Sequence, residues 1–234
     1  MIPIRDENRS KTTPHITRIL LVLNILAFIP LLFFTFFPQD TALNLFANWI
    51  YDNFTMVPAE IVQGKNLHTL FTSLFLHADI FHIGGNLLFL YVFGDNVEDA
   101  FGHLRYLLFY FVCGLVADAA HILSATSTGG LLIPTLGASG AISGVMGAYI
   151  LLYPRARIET LILTLFVTVV SIPAFFFLGF WFLLQLLYTW LGMAGNVAYW
   201  AHIGGFVAGM ILSLIVRRKR KPKPVISYYT EFQI

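Results

Sequence analysis

The feature that most constrains this chain is a series of six apolar segments that fill most of its length. They cover residues 17–38, 81–96, 104–124, 139–154, 172–191 and 199–216. An α-helix needs about 20 consecutive apolar residues to cross the hydrocarbon of a bilayer, and most of these segments approach that length. The sequence therefore predicts an all-α, polytopic membrane protein with six spans, for which the lipid bilayer is the solvent.

The composition favours one membrane domain over two soluble ones. Of the 234 residues, 58% are hydrophobic and only 11% are charged, whereas a soluble domain carries about 25% charged residues. We therefore expect a single domain over residues 17–216, with short tails at 1–16 and 217–234. The one cysteine, Cys113, lies in an apolar segment, so no intrachain disulfide can form and a buried thiol is expected.

Basic residues are distributed unevenly among the predicted loops. They cluster before the first segment, in the run RRKRKPK after the last segment, and in two short loops that contain Arg105 and the pair Arg155 and Arg157. Loops rich in Lys and Arg stay in the cytoplasm, so both termini are expected there and loop 39–80 is expected outside. The basic run directly abuts a span, where it would anchor to lipid headgroups, and no nucleic-acid partner is predicted.

The fourth apolar segment is too short for an ordinary span. Residues 139–153 as a helix cover about 22 Å at 1.5 Å per residue, against a hydrocarbon core of about 30 Å. Arg155 and Arg157 fix the inner end at the cytoplasmic surface, so Ser139 lies below the outer surface. The Gly- and Pro-containing stretch 127–138 must descend to reach it. Irregular backbone at that depth needs protein or water beside it, which predicts a wet cavity at Ser139.

Polar side chains of three spans are expected at the same depth as this cavity. His82 and Asn86 are four residues apart on one face near the outer end of the second span, and His202 lies near the outer end of the sixth. Polar groups inside a membrane are unfavourable and usually functional. We therefore expect these side chains to converge on Ser139.

Small residues should let the fourth and sixth spans touch. The glycines concerned are Gly140 and Gly144 in the fourth span and Gly205 and Gly209 in the sixth. Glycines four apart allow two helix backbones to approach closely in a membrane. Contact along these faces would bring Ser139 within hydrogen-bond reach of the histidine on the sixth span.

Three motifs, in this order along the chain, resemble those of the rhomboid intramembrane serine proteases. His77, His82 and Asn86 resemble the family's H-x4-H-x3-N pattern in the second span. The segment Gly137-Ala138-Ser139-Gly140 resembles its G-x-S-G nucleophile motif, and Ala201-His202-Ile203-Gly204-Gly205 resembles its A-H-x-x-G motif in the sixth span. The likeness extends over roughly residues 66–216.

The resemblance implies a six-transmembrane-helix rhomboid-like bundle with a short central fourth helix. It implies a serine endopeptidase that cleaves single-pass transmembrane proteins within or near the outer leaflet, without a metal or other cofactor. A lateral gate between spans two and five is implied as the substrate entry. The family style also leads us to expect a prokaryotic plasma membrane, with both termini cytoplasmic. The oligomeric state is left open.

The resemblance also implies a role for each motif residue. Ser139 would attack the scissile carbonyl and His202 would act as general base. His82, Asn86 and the backbone N–H of Ser139 are the expected oxyanion donors, supported by the backbone at Gly137 and Gly140. One position departs from the pattern: in some members an aromatic residue four after the nucleophile stacks on the histidine, and here that residue is Ser143.

Two other functions remain open on the sequence. A catalytically silent rhomboid-like protein could bind membrane proteins in quality control, although such proteins lose the serine or the histidine. A small transporter could use Asp118 in the third span, since transporters also line wet cavities with polar residues. A further expectation concerns residues 158–171, which are also apolar. The whole stretch 158–191 is too long for one helix and too short for two. We therefore predict an interfacial or tilted stretch that ends near Pro173.

Overall fold

Helices form most of the chain in the computed structural model, which describes residues 1–8, 10–37, 39–163, 167–193 and 197–216. In chain order the elements are β1 (Ile2–Asp6), α1 (His15–Phe36), α2 (Thr41–Phe54), α3 (Pro58–Val62), α4 (Thr69–Thr72), a 3-10 helix (Ser73–Phe75), α5 (Ile80–Phe101), α6 (His103–Thr128), α7 (Ser139–Leu152), β2 (Arg157–Leu163), β3 (Val167–Pro173), α8 (Ala174–Trp190) and α9 (Tyr199–Val216).

Each predicted span coincides with one of the long helices α1, α5, α6, α7, α8 and α9, so the predicted helical bundle is confirmed. By length and composition, α1 and α6 can each cross a membrane alone. A third span is formed if α4, the 3-10 helix and α5 are taken together, although the chain bends by 93° between them. The remaining three, α7, α8 and α9, are apolar but shorter.

The short helix α7 lies at the centre of the bundle. Every residue from Gly140 to Ile150 is buried, and α7 packs against α5, α6, α8 and α9. Its lower half contributes Tyr149, whose ring meets Phe93 of α5 edge-on with centroids 5.0 Å apart. Because α7 is surrounded by other helices, it needs no polar face, and its sequence is a nearly unbroken run of small and apolar residues.

The described residues of the stretch 158–171 lie in two paired β-strands, β2 and β3, which corrects the expectation of an interfacial or tilted stretch there. β2 and β3 pair antiparallel from Arg157 opposite Pro173 to Leu163 opposite Val167. The segment is rich in β-branched residues, which favour the pleated strand over the helix. The predicted all-α bundle therefore carries a small sheet as well.

The third strand of this sheet comes from the start of the chain, within the residues predicted as a tail. β1 pairs antiparallel with β2, with Ile2 opposite Leu161 and Asp6 opposite Ile158. Asp6 also accepts hydrogen bonds from the Tyr149 hydroxyl and, at 2.9 Å, from the side-chain amide of Asn96. The first residues are thus held against the ends of α5 and α7. The other predicted tail, 217–234, lies outside the described residues.

A buried carboxylate positions the first long helix. Glu98 of α5 is fully buried and accepts hydrogen bonds from Ile16 N at 2.9 Å, Thr17 N at 2.8 Å and Thr17 Oγ1 at 2.7 Å. The first N–H groups of a helix lack partners within the helix and carry a partial positive charge. Glu98 satisfies these groups and so ties the beginning of α1 to the end of α5.

Candidate active site

The candidate site lies at the end of the bundle opposite the sheet, where α5, α7 and α9 all begin. The irregular stretch before Ser139 reaches this point with its backbone paired to the loop after α2. Met56 and Thr135 exchange two backbone hydrogen bonds, of 3.1 and 2.8 Å, and Gly137 N donates to the Ser73 carbonyl at 2.9 Å. These bonds satisfy non-helical backbone that would otherwise be unpaired inside a membrane.

Ser139 and His202 are brought together across the bundle. The distance from Ser139 Oγ to His202 Nε2 is 2.8 Å, although 63 residues separate the two in sequence. Ser139 is the first residue of α7 and His202 lies in the first turn of α9. Both are only partly buried, so the pair is accessible from the irregular side of α7.

Glycines make this approach possible, as their spacing predicted. A β-carbon on Gly205 would overlap the carbonyl oxygen of Gly140, and one on Gly209 would overlap the carbonyl oxygen of Gly144. The backbones of α7 and α9 are therefore in direct contact along the face that carries Gly205 and Gly209. On the opposite side, a β-carbon on Gly140 would lie 2.6 Å from that of Ala117 in α6. The helix that carries Ser139, α7, is therefore closely packed between α6 and α9.

His82 and Asn86 lie beside Gly137, two residues before Ser139. A β-carbon on Gly137 would lie 2.7 Å from His82 Nε2 and 3.8 Å from Asn86 Nδ2. Gly137 has a φ of +124°, a conformation that side chains disfavour, so glycine is required for both reasons. Asn86 Nδ2 is buried and has no hydrogen-bond partner in the described part of the chain. A buried donor without a partner is unusual in a folded protein and calls for an explanation.

The beginning of α5 fixes these two side chains. Asp79 caps the helix by accepting hydrogen bonds from Phe81 N at 2.8 Å and His82 N at 2.9 Å. The ring of His77 meets that of His82 edge-on, with centroids 5.0 Å apart, and is itself fully buried. His77 therefore packs against His82, and His82 in turn lies beside Gly137.

The hydroxyl of Ser143 hydrogen-bonds within its own helix, although the resemblance places this residue where some relatives carry an aromatic partner for the histidine. Its hydroxyl donates to the carbonyl oxygen of Ser139 at 2.6 Å. Two residues of α8 occupy the neighbourhood of His202 instead. The centroid of the Trp181 ring lies 5.8 Å from that of His202, and Gln185 Oε1 lies 2.9 Å from His202 Nδ1.

The sequence analysis did not identify Trp181 or Gln185. The available signal was the spacing of a tryptophan and a lone amide four residues apart in an otherwise apolar helix, since polar side chains in a membrane are rarely incidental. Spacing alone does not tell which neighbour such a side chain faces.

Two further residues that the sequence singled out lie apart from the serine and histidine pair. Asp118 is buried in α6, and its Oδ2 has no hydrogen-bond partner among the described residues. Cys113 is fully buried, with its sulfur against Gly144. No group of three His, Cys, Asp or Glu side chains arranged to hold a metal ion occurs within the described ranges.

Comparison with known proteins identifies the family. The model of the rhomboid domain matches residues 64–219. The chain is 32% identical over 186 residues to RHOMBOID-like protein 12, mitochondrial, of Arabidopsis thaliana, covering 74% of this chain and 53% of that protein. It is 30% identical over 160 residues to Rhomboid protein 1, mitochondrial, of Saccharomyces cerevisiae, covering 64% of this chain and 43% of that one.

A bacterial relative matches as well. The chain is 32% identical over 149 residues to Rhomboid protease GluP of Bacillus subtilis, covering 64% of this chain and 26% of that protein. The chain thus spans about half or less of the length of these relatives. Because several are named mitochondrial, they do not support the expectation of a prokaryotic plasma membrane. The matched domain and the apolar helices show that this chain is an integral membrane protein of the rhomboid family.

Proposed function

We propose that the chain is an intramembrane serine endopeptidase with Ser139 as nucleophile and His202 as general base. The observation that carries this proposal is the 2.8 Å hydrogen bond between Ser139 Oγ and His202 Nε2. A nucleophile and a base within hydrogen-bond reach are the core of serine catalysis, because a neutral serine hydroxyl is a weak nucleophile. The membership of the rhomboid family, which includes a relative named as a protease, supports the same reaction.

In the proposed reaction Ser139 Oγ attacks the carbonyl carbon of the scissile peptide while its proton passes to His202 Nε2. The tetrahedral intermediate collapses when the protonated imidazole gives that proton to the leaving amine. An acyl-enzyme remains on Ser139. A water molecule, activated by the same nitrogen, then hydrolyses the ester and regenerates the serine.

The unpaired donor of Asn86 supports an oxyanion site beside the nucleophile. Its Nδ2 is buried and unpartnered, and it faces Gly137 together with His82. The backbone N–H of Ser139, at the start of α7, is the third proposed donor. Donors that are fixed before the reaction stabilise the developing negative charge without reorganisation, and removing one typically lowers the rate by about 10²–10³.

The proposed substrates are single-pass transmembrane proteins whose helix unwinds locally near the site. We place their entry between α5 and α8. The ring contacts that join these helices in the described structure involve Phe177, close to the beginning of α8 and far from Ser139. Towards the other end, Phe81 of α5 and Leu183 of α8 are exposed by 88% and 61%. In this proposal the weakly packed boundary between α5 and α8 leads from the lipid to the candidate site.

Cleavage of a single-pass reporter in reconstituted vesicles tests the proposal. Ser139→Ala and His202→Ala should each abolish cleavage, and a fluorophosphonate should label the wild-type protein but not Ser139→Ala. Ser213→Ala, at the other end of α9, and His68→Ala, in an exposed position, are matched controls that should cleave normally. Cleavage by Ser139→Ala at the wild-type rate would contradict Ser139 as the nucleophile, whereas no cleavage by the wild type would favour the silent, substrate-binding alternative.

A further inference from the structure

Gln185 differs in both chemistry and orientation from the leucines next to it in α8. It is the one amide side chain in Ala174–Trp190, and only 7% of its surface is exposed. Its neighbours Leu183, Leu186 and Leu187 are exposed by 61%, 40% and 43%. The polar side chain therefore points into the bundle, while the apolar ones around it face outwards. Such an arrangement is unfavourable unless the amide finds partners inside.

Both ends of the Gln185 amide have partners, and together they fix its orientation. Nε2 donates to the backbone carbonyl of Trp181 at 3.3 Å, and Oε1 lies 2.9 Å from His202 Nδ1. A backbone carbonyl can only accept, so the NH2 group must face Trp181 and the oxygen must face the imidazole. The bond to His202 then requires that Nδ1 carries the proton.

The position of that proton decides whether His202 can act as a base. A neutral imidazole with its proton on Nδ1 has a lone pair on Nε2, which is the nitrogen that lies 2.8 Å from Ser139 Oγ. In the other tautomer Nε2 would be a donor and could not accept the serine proton. The serine triad solves the same problem with a buried aspartate on Nδ1.

We propose that Gln185 is a positioning residue that holds His202 in the tautomer and orientation required for catalysis. This inference rests on the proposed serine protease function. An amide selects the tautomer without placing a negative charge in the membrane, where a carboxylate is strongly disfavoured. It gives the imidazolium formed during the reaction only the dipole of a carbonyl, not a full counter-charge.

The location of Gln185 on α8 extends the role of that helix. Trp181, one turn earlier on the same face, packs its ring beside His202. These two neighbours of His202 therefore come from α8, and the ring of Tyr199 in α9 meets the imidazole edge-on with centroids 6.5 Å apart. In α7, Ser143 turns its hydroxyl to the Ser139 carbonyl. Displacement of α8 away from the bundle would remove both supports from His202.

Three substitutions in α8, assayed with the vesicle-reconstituted reporter, test this role. Gln185→Leu keeps the approximate size but removes both hydrogen bonds, and Gln185→Glu keeps an acceptor for His202 Nδ1 and adds charge. Thr189→Val is the matched control, because Thr189 Oγ1 bonds to the Gln185 backbone carbonyl at 2.8 Å and leaves His202 untouched.

We expect Gln185→Leu to lower kcat roughly tenfold to a hundredfold with KM nearly unchanged, as the loss of a hydrogen bond to a group that becomes charged predicts. Gln185→Glu should restore much of this activity. It should also move the acid limb of the pH profile of kcat/KM to higher pH, because a carboxylate stabilises the imidazolium. Thr189→Val should match the wild type in kcat and in profile.

The results separate this inference from the proposed function. Wild-type kcat in Gln185→Leu, together with inactive Ser139→Ala, would overturn the positioning role and leave the protease intact. Equal losses in Gln185→Leu and Gln185→Glu, with the pH profile unmoved in the latter, would show a packing role and also overturn the proposal. Activity in Ser139→Ala would overturn the proposed function, in which Ser139 is the nucleophile.

Discussion

Replacing Gly137 with alanine should stop cleavage while most of the fold survives. The added β-carbon would lie 2.7 Å from His82 Nε2 and 2.9 Å from His82 Cε1, both well inside van der Waals contact. The backbone of Gly137 is held by its hydrogen bond to the Ser73 carbonyl, whereas the imidazole is a side chain that can rotate. We therefore expect His82 to move away from the proposed oxyanion site.

Two effects of different kinds add in this variant. The φ of +124° at Gly137 is strained for alanine, which lowers the stability of the fold by about 1–3 kcal/mol. The displacement of one oxyanion donor lowers kcat by roughly 10²–10³, or about 2.7–4 kcal/mol of transition-state stabilisation. The first effect acts on unfolding and the second on the reaction rate, so the two can be measured separately.

Gly129→Ala is the matched control for the backbone strain alone. Gly129 ends α6 with a φ of +76°, and no atom lies within 4 Å of where its β-carbon would be. This variant should lose stability by about 1–2 kcal/mol and keep its cleavage rate.

Thermal unfolding in detergent and reporter cleavage in vesicles measure the two effects for both variants. The reasoning is refuted if Gly137→Ala cleaves at the wild-type rate. It is also refuted if Gly129→Ala loses as much activity as Gly137→Ala, because the loss would then come from the backbone and not from His82.

Three further predictions concern stability, each followed by thermal unfolding in detergent. Gly209→Val should destabilise the bundle by about 1–3 kcal/mol, because its side chain would overpack against the Gly144 carbonyl. The control Gly179→Val has open space beside it and should be nearly neutral. Equal effects of the two substitutions would contradict the contact of α7 and α9. Glu98→Ala should cost about 1–3 kcal/mol, because it leaves the first N–H groups of α1 unpaired, and a neutral result would show that water replaces the carboxylate. Burial raises the pKa of Asp6 to about 6 from its ordinary 3.8, so the folded chain favours the protonated carboxyl. The stability of the fold should therefore rise as the pH falls through about 6 towards 3.8. Asp6→Asn should remove this contribution, and an unchanged slope of stability against pH in that variant would exclude Asp6 as its source.

The helices and the meeting of Ser139 with His202 could be predicted because membranes restrict the possible structures so strongly. An apolar run of sufficient length must be a helix, and the short fourth run had to place Ser139 below the surface. The glycines in α7 and α9 then identified the contact face from their spacing alone. For these elements, length and periodicity carry the necessary information.

The β-hairpin of β2 and β3 could not be predicted by the same argument. A short apolar run does not distinguish a strand from a helix by periodicity, and the β-branched residues there were the only opposing signal. Its pairing with β1 joins residues far apart in the sequence, such as Ile2 and Leu161. Local sequence carries no record of a partner so distant.

The residues that orient His202 could not be predicted, for a different reason. The resemblance directed attention to Ser143 in α7, while the groups that contact the histidine include Trp181 and Gln185 in α8. The lone amide was visible in the sequence, but which side of a short apolar helix faces the bundle depends on its packing. Residue spacing gives the relative positions of Trp181 and Gln185 on α8 and leaves their direction undetermined.

The pairing of β1 with β2 imposes an order on the biosynthesis of this protein. Ile2 leaves the ribosome before α1, but its partner Leu161 follows only after α1 to α7 have been synthesised. The sheet is therefore the last contact that the N-terminal segment can complete, and until then this strand has an unpaired edge. Protection of the first few residues from a protease would report that the chain has been inserted at least as far as the hairpin.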